Sequence, residues 1–144
     1  MFEELHKALD EYKKWRHPGL DPLEEGEPYA LVPERALADV KLRWTKDEWP
    51  NSRRTGVYVV LSDDEQVLYV GRAGLLGERL ADHFRKGTNG ECCSPGGYEW
   101  GKPPVYVITV AVPKDRKFEV GCLEEFLIER FPGSDNIRGK ICSI

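Results

Sequence analysis

GVYVVLSDDEQVLYVG, residues 56–71, is the stretch on which the fold turns. Residues 56–62 are rich in β-branched and aromatic side chains and read as a strand. Asp63, Asp64 and Glu65 make a polar turn, and residues 66–71 read as a second strand. So short a connection makes the pair an antiparallel hairpin. Working outward, the period becomes helical from about Leu75 to Lys86, with Leu76, Leu80 and Phe84 on one side. Residues 87–103 form a Gly/Pro-rich loop of a length usually associated with function. Residues 104–112 predict a third strand. A Pro-Lys-Asp-Arg turn then leads to a helix over about 117–131, stopped by Pro132 and Gly133.

Upstream, Phe2, Leu5, Leu9 and Tyr12 recur at helical spacing, so residues 2–16 predict a helix ended by His17-Pro18-Gly19. Residues 18–33 read as a linker rich in Pro, Gly and Glu. Pro33 to about Trp44 reads as a second short helix, with Ala36, Leu37, Val40 and Trp44 on one side. The expected fold class is α+β: a three-stranded, mostly antiparallel sheet flanked by helices in the order β-β-α-β-α. An acidic, helical N-terminal extension, residues 1–52, precedes the domain at 53–144 that carries the chemistry. Trp15, Trp44 and Trp49 in so charged an extension suggest that it packs on that domain or mediates self-association.

The 144 residues suit one domain, and 40% hydrophobic composition suffices for a core. The net charge is −4. Residues 1–52 hold 8 Lys/Arg against 12 Asp/Glu, while residues 53–144 are balanced at 13 of each. That balance argues against tight non-specific DNA binding, which needs a basic surface, although a local basic cleft remains compatible with it. No apolar run approaches the roughly 18 residues of a membrane span, and the charged N-terminus lacks a signal-peptide core. The expectation is a soluble, cytoplasmic protein with no membrane partner. Cys92, Cys93, Cys122 and Cys142 form no Cys-x-x-Cys pair and His6, His17 and His83 are scattered, so the thiols read as reduced and not as zinc ligands.

Several residues stand out for chemistry. Glu124 falls within the apolar stripe Val120, Leu123, Leu127 and Phe131, with Glu119, Glu125 and Glu129 nearer the flanks or solvent. A carboxylate there is either salt-bridged to a nearby Arg or a ligand for a hard divalent ion. Arg72 follows a strand end at Gly71, a residue that permits close approach of a ligand to the backbone. Arg79 lies seven residues on, and His83 one helical turn beyond. Two guanidinium groups suit a phosphate, although surface ion pairs and a surface histidine explain these three equally simply. Tyr58 and Tyr69 on neighbouring strands are ordinary β-formers on their own.

Taken together, Gly56-Val57-Tyr58, Tyr69-Val70-Gly71, Arg79, Glu124 and Asn136 resemble the GIY-YIG nuclease family. YVGRAGLLGERL is similar to the family's second motif, and CLEEFLIERFPGSDN to its Leu-Glu-x-x-Leu-Ile block with the Asn after a proline. The resemblance covers about 90 residues. It implies a metal-dependent endonuclease that hydrolyses phosphodiester bonds in DNA. Glu124 would hold one Mg²⁺ or Mn²⁺. Tyr58, assisted by Tyr69, would activate or orient the attacking water. Arg72 and Arg79, with Gly71 and His83 beside them, would bind the scissile phosphate, and Asn136 would fix the site's geometry. Val replaces Ile in both short motifs, and Arg72 stands where several relatives have Lys. Other expectations are a catalytically silent nucleic-acid- or protein-binding module that kept the fold, and an RNA-directed nuclease. With little chain to spare, specificity would come from loops, a homodimer or a partner protein.

Overall fold

The structure, a computed structural model, describes residues 1–44, 47–86, 92–93 and 100–132. Helix α1 spans Glu3–Trp15 and buries Leu5, Ala8, Leu9 and Tyr12, the spacing of one helical face. Its first turn carries Glu3 and Glu4 and its last Lys13 and Lys14, each sign matching the nearer end of the helix dipole. Two short strands follow, β1 (Glu24–Glu25) and β2 (Tyr29–Ala30), then a single 3₁₀ turn at Pro33–Arg35 and strand β3 (Leu42–Arg43). The hairpin comes next, as β4 (Gly56–Leu61) and β5 (Val67–Ala73). Helix α2 is Leu76–His83, β6 is Arg85–Lys86, β7 is Cys92–Cys93, β8 is Tyr106–Ala111 and α3 is Glu119–Arg130.

The fold is α+β, but its sheet is larger than the three strands expected. The main sheet has six strands in the order β3-β2-β8-β4-β5, with β1 also paired to β8. Strands β8, β4 and β5 pair antiparallel, with β5 at the edge; β2 and β3 pair in parallel, so the sheet is mixed. β6 and β7 make a separate antiparallel pair. Every residue of β4 and of β8 is buried. Strands covered on both faces favour apolar side chains, hence the near-continuous runs GVYVVL and YVITVA, in which buried Thr109 is hydrogen-bonded to the Pro50 carbonyl.

Two expectations about residues 18–44 are corrected. The supposed linker supplies β1 and β2, which pair with β8 through Glu24↔Ala111 and Tyr29↔Val107. The supposed helix from Pro33 to Trp44 is one 3₁₀ turn and a strand. Its apolar residues mimic a helical stripe because they serve two faces. Ala36 and Val40 pack into the core under α1 and α3, whereas Leu42 and Trp44 pack into the core under α2. The helix expected to reach Lys86 ends at His83. Among the described residues of 1–52, helix is thus confined to α1 and the 3₁₀ turn, and the rest of the regular structure is strand.

Three layers result, with α1 and α3 on one face of the sheet and α2 on the other. Helices α1 and α3 are joined by a buried ion pair. Arg16 donates from Nε to Glu119 Oε2 at 2.6 Å and from Nη2 to Oε1 at 2.8 Å, and the Tyr12 hydroxyl donates to Oε2 at 2.7 Å. The buried acid of α3 is therefore Glu119, not Glu124.

Removing one partner from this pair leaves a buried charge, at a cost of roughly 3–5 kcal/mol. Arg16→Ala should lose stability on that scale in urea melts; a loss within error of zero overturns the pairing. Arg16, with Tyr12 assisting, holds the Glu119 carboxyl below the ordinary carboxylate range. Its contribution is therefore complete above the unfolded-state pKa and fades as pH falls through the lower folded value. Glu119→Gln should flatten the acid limb of stability against pH, and an unchanged limb contradicts it.

Candidate active site at the edge strand

Strand β5 closes one side of the main sheet, and its alternation sorts the candidate residues. Val59 pairs with Val70 and Val57 with Arg72, so Val70 and Arg72 share the face of α3. Val60 pairs with Tyr69 and Tyr58 with Gly71, so Tyr69 and Tyr58 share the face of α2. The sequence candidates therefore form two groups, one on each face of a single edge strand.

On the α2 face, Tyr58 is fully buried and its ring lies across Gly71. A Cβ at residue 71 would come within 2.4 Å of Tyr58 Cζ. The close approach that Gly71 permits is thus to a tyrosine ring of its own sheet, where the sequence suggested a ligand. Tyr69 stacks beside Tyr58, their centroids 5.9 Å apart, and His83 from α2 stacks on Tyr69 at 5.6 Å. Trp100 meets Tyr69 edge-on at 6.0 Å and His83 at 5.5 Å. Arg79, one turn before His83, donates from Nε to the Tyr58 hydroxyl at 3.4 Å.

These surroundings set the protonation states. Burial, and then the neighbouring Tyr69, push the Tyr58 phenol well above its ordinary value. Tyr58 is consequently neutral at physiological pH and accepts from Arg79 while keeping its own proton. Burial, followed by the Arg79 charge, pushes the His83 imidazole down to about 4. His83 is therefore neutral at pH 7, its surroundings opposing protonation.

On the α3 face, Arg72 Nε lies 3.6 Å from Glu124 Oε1, with side-chain exposures of 58% and 21%. Gly121, one turn before Glu124, makes room for the guanidinium: a Cβ there would sit 3.1 Å from Arg72 Nη1. Glu124 is thus at the flank of α3 facing β5, not within the stripe of Leu123 and Leu127. Tyr69 and Arg72 are three residues apart, about 10 Å along the strand. Among the described residues no three His, Cys, Asp or Glu side chains gather closely enough to hold an ion. A site with one protein carboxylate is still chemically consistent with Mg²⁺, which keeps waters and takes oxygens from substrate phosphates. Asn136 lies outside the described residues.

Two residues of consequence escaped the sequence reading. Trp100, in a polar Gly-rich stretch, closes the aromatic cluster. Glu119 stands four before Leu123 and eight before Leu127, which was the signal of its burial. No helix among the described residues is long and apolar enough to cross a membrane. Comparison with family models, with curated proteins and with solved structures gives no match.

Two outcomes test this geometry. Gly71→Ala should cost about 1–3 kcal/mol by overpacking against the Tyr58 ring, and Tyr58→Leu in the same chain should relieve part of that cost. Strict additivity of the two changes would remove the ring from the explanation. In NMR titrations the His83 imidazole should titrate near pH 4, and Arg79→Ala should move its midpoint upward. A midpoint at the ordinary histidine value would mean a solvated ring.

Proposed function

We propose that this chain hydrolyses phosphodiester bonds in nucleic acid, DNA foremost, as a nuclease dependent on one Mg²⁺ or Mn²⁺. The observation that carries this reading is the grouping of Tyr58, Tyr69, Arg79 and His83 on one face of β5, with Arg72 and Glu124 on the other. A phosphodiester laid along the β5 edge would meet the accessible members of both groups, Arg79 and Tyr69 on one face and Arg72 and Glu124 on the other.

The chain's own residues divide the work by their protonation and exposure. Arg72, more than half exposed, presents a planar donor array suited to two phosphate oxygens. Arg79 adds a second positive charge, held in place by Tyr58. Together they offset charge that builds on the phosphoryl oxygens. Tyr69, partly exposed, would orient the attacking water through its hydroxyl, while Tyr58, buried and neutral, would hold Arg79 in position beside it. His83, neutral at pH 7 and too weak a base to take the water's proton readily, would contact the substrate beside Arg79. Glu124 is the residue that would hold the ion. The ion, when bound, supplies Lewis-acid polarisation of the phosphate and stabilises the leaving oxygen.

A second reading has its own support. Arg72 already neutralises Glu124. A silent nucleic-acid-binding module that kept the constellation would look the same.

The deciding assay sets plasmid, single-stranded DNA and structured RNA, each with Mg²⁺ or Mn²⁺, before the parent chain and Glu124→Gln. The nuclease reading expects cleavage by the parent, reduced about 10²-fold or more in the variant. Equal cleavage by both sinks it. Binding without cleavage by the parent favours the silent module.

A further inference from the structure

The largest exposed aromatic side chains of the described residues are in neither group of the candidate site. Trp15 is 81% and Phe118 74% exposed. Both line one cleft between the end of α1 and the start of α3, together with Leu20, Arg116 and Cys122. A tryptophan and a phenylalanine so exposed contribute little to the core, and their burial against a ligand is favourable.

Arg16, His17 and Arg116 line the same cleft, where Arg16 is paired with Glu119, and the chain on either side of it is basic. Lys13-Lys14-Trp15-Arg16-His17 and Lys114-Asp115-Arg116-Lys117-Phe118 carry six Lys/Arg against one acid. Arg16 is taken by Glu119 and Lys13 by Glu25, which leaves Lys14, Lys114, Arg116 and Lys117 without an ion pair among the described residues. Each basic string projects one aromatic ring. Rings for bases to stack on, set among cations for the phosphates, are the two ingredients of single-strand recognition. A duplex, whose bases are already stacked, could use the cations but not the rings. An acidic peptide would use the charge without needing two flat, exposed faces.

We propose that the Trp15–Phe118 cleft binds unpaired nucleic acid, its rings stacking on exposed bases while Arg116 within it, and Lys14 on the adjoining groove beside Trp15, hold the backbone. This deepens the nuclease reading and rests on it for the fate of the strand. Phe118 caps the N-terminus of α3, six residues before Glu124, about 9 Å along the helix axis. The cleft lies on the α1 flank of α3 and the Arg72–Glu124 pair on the β5 flank. A strand seated on both rings and crossing the first turns of α3 would reach that pair. The substrate class would then be single-stranded or locally unpaired DNA or RNA.

The test is binding of a fluorescent oligothymidylate to the full chain in EDTA, so that no cleavage intervenes. A duplex of equal length, anionic vesicles and a polyglutamate peptide serve as competitors. Trp15→Ala and Phe118→Ala should each weaken single-strand binding about tenfold. Lys14→Ala and Arg116→Ala should each lower the slope of log affinity against log salt by about 0.7. Thermal melts of the four variants verify that the substitutions leave the fold intact. Undiminished binding by the Trp15→Ala/Phe118→Ala double variant overturns the proposal, as does equal or better competition by duplex, vesicle or peptide. These readouts stand apart from catalysis. Cleavage lost in Glu124→Gln with ring-independent binding sinks the cleft alone, whereas ring-dependent binding by a parent that never cleaves sinks the nuclease reading alone.

Discussion

The two-residue alternation of an edge strand governs how this molecule can act. Side chains of β5 leave the sheet on opposite faces in turn, so Tyr69 and Gly71 must face α2 while Val70 and Arg72 face α3. A one-residue slip of β5 against β4 would exchange the faces and place Arg72 among the rings. The register is held by packing. Tyr58 fits only over a residue without a side chain, and Gly71 is the partner that β4 presents to it. The same contact that fixes the sheet therefore fixes which residues gather on each side.

Both faces of β5 can be populated because the centre of the sheet is closed elsewhere. β8 lies between β4 on one side and β1 and β2 on the other, so its hydrogen-bonding edges are occupied. Those two short strands come from the N-terminal segment, as does α1, whose Leu5, Leu9 and Tyr12 share a core with Leu123 and Leu127 of α3. The N-terminal third thus supports α3 from behind, and α3 carries Glu124. The Arg16–Glu119 pair ties the two helices at the end of α1 and the start of α3, leaving the β5 flank of α3 available to Arg72.

What the sequence made legible follows from how much periodicity each element could display. Six buried residues in β4 and in β8, and the Asp63–Glu65 turn, identify the hairpin and the third strand without help from tertiary structure. Helices α1 and α3 declare themselves through residues spaced three and four apart. Two-residue pairings such as β1, β2 and β3 have no period to read, and they form because β8 and then β2 offer open edges. Residues 33–44 mislead because Ala36 and Val40 serve one core while Leu42 and Trp44 serve another. For the candidate site, the sequence named residues that the structure places about β5, but not their division by that strand. Sidedness depends on register, and register depends on the Tyr58–Gly71 contact.

The contrast between the two acids of α3 bears on which of them could meet an exchangeable ion. Glu119 is buried, accepts three hydrogen bonds from Arg16 and Tyr12, and has no capacity to spare; displacing Arg16 would strand a charge in the core. Glu124 keeps part of its surface in water, and its partner Arg72 is more than half exposed. An ion pair of that kind is worth about 0–1 kcal/mol, a modest toll for a divalent cation or a phosphate to overcome. Solvation is therefore what distinguishes a carboxylate that holds the fold from one that can trade partners. By that criterion Glu124, at the helix flank beside β5, is the acid of α3 better placed to exchange its guanidinium for another cation.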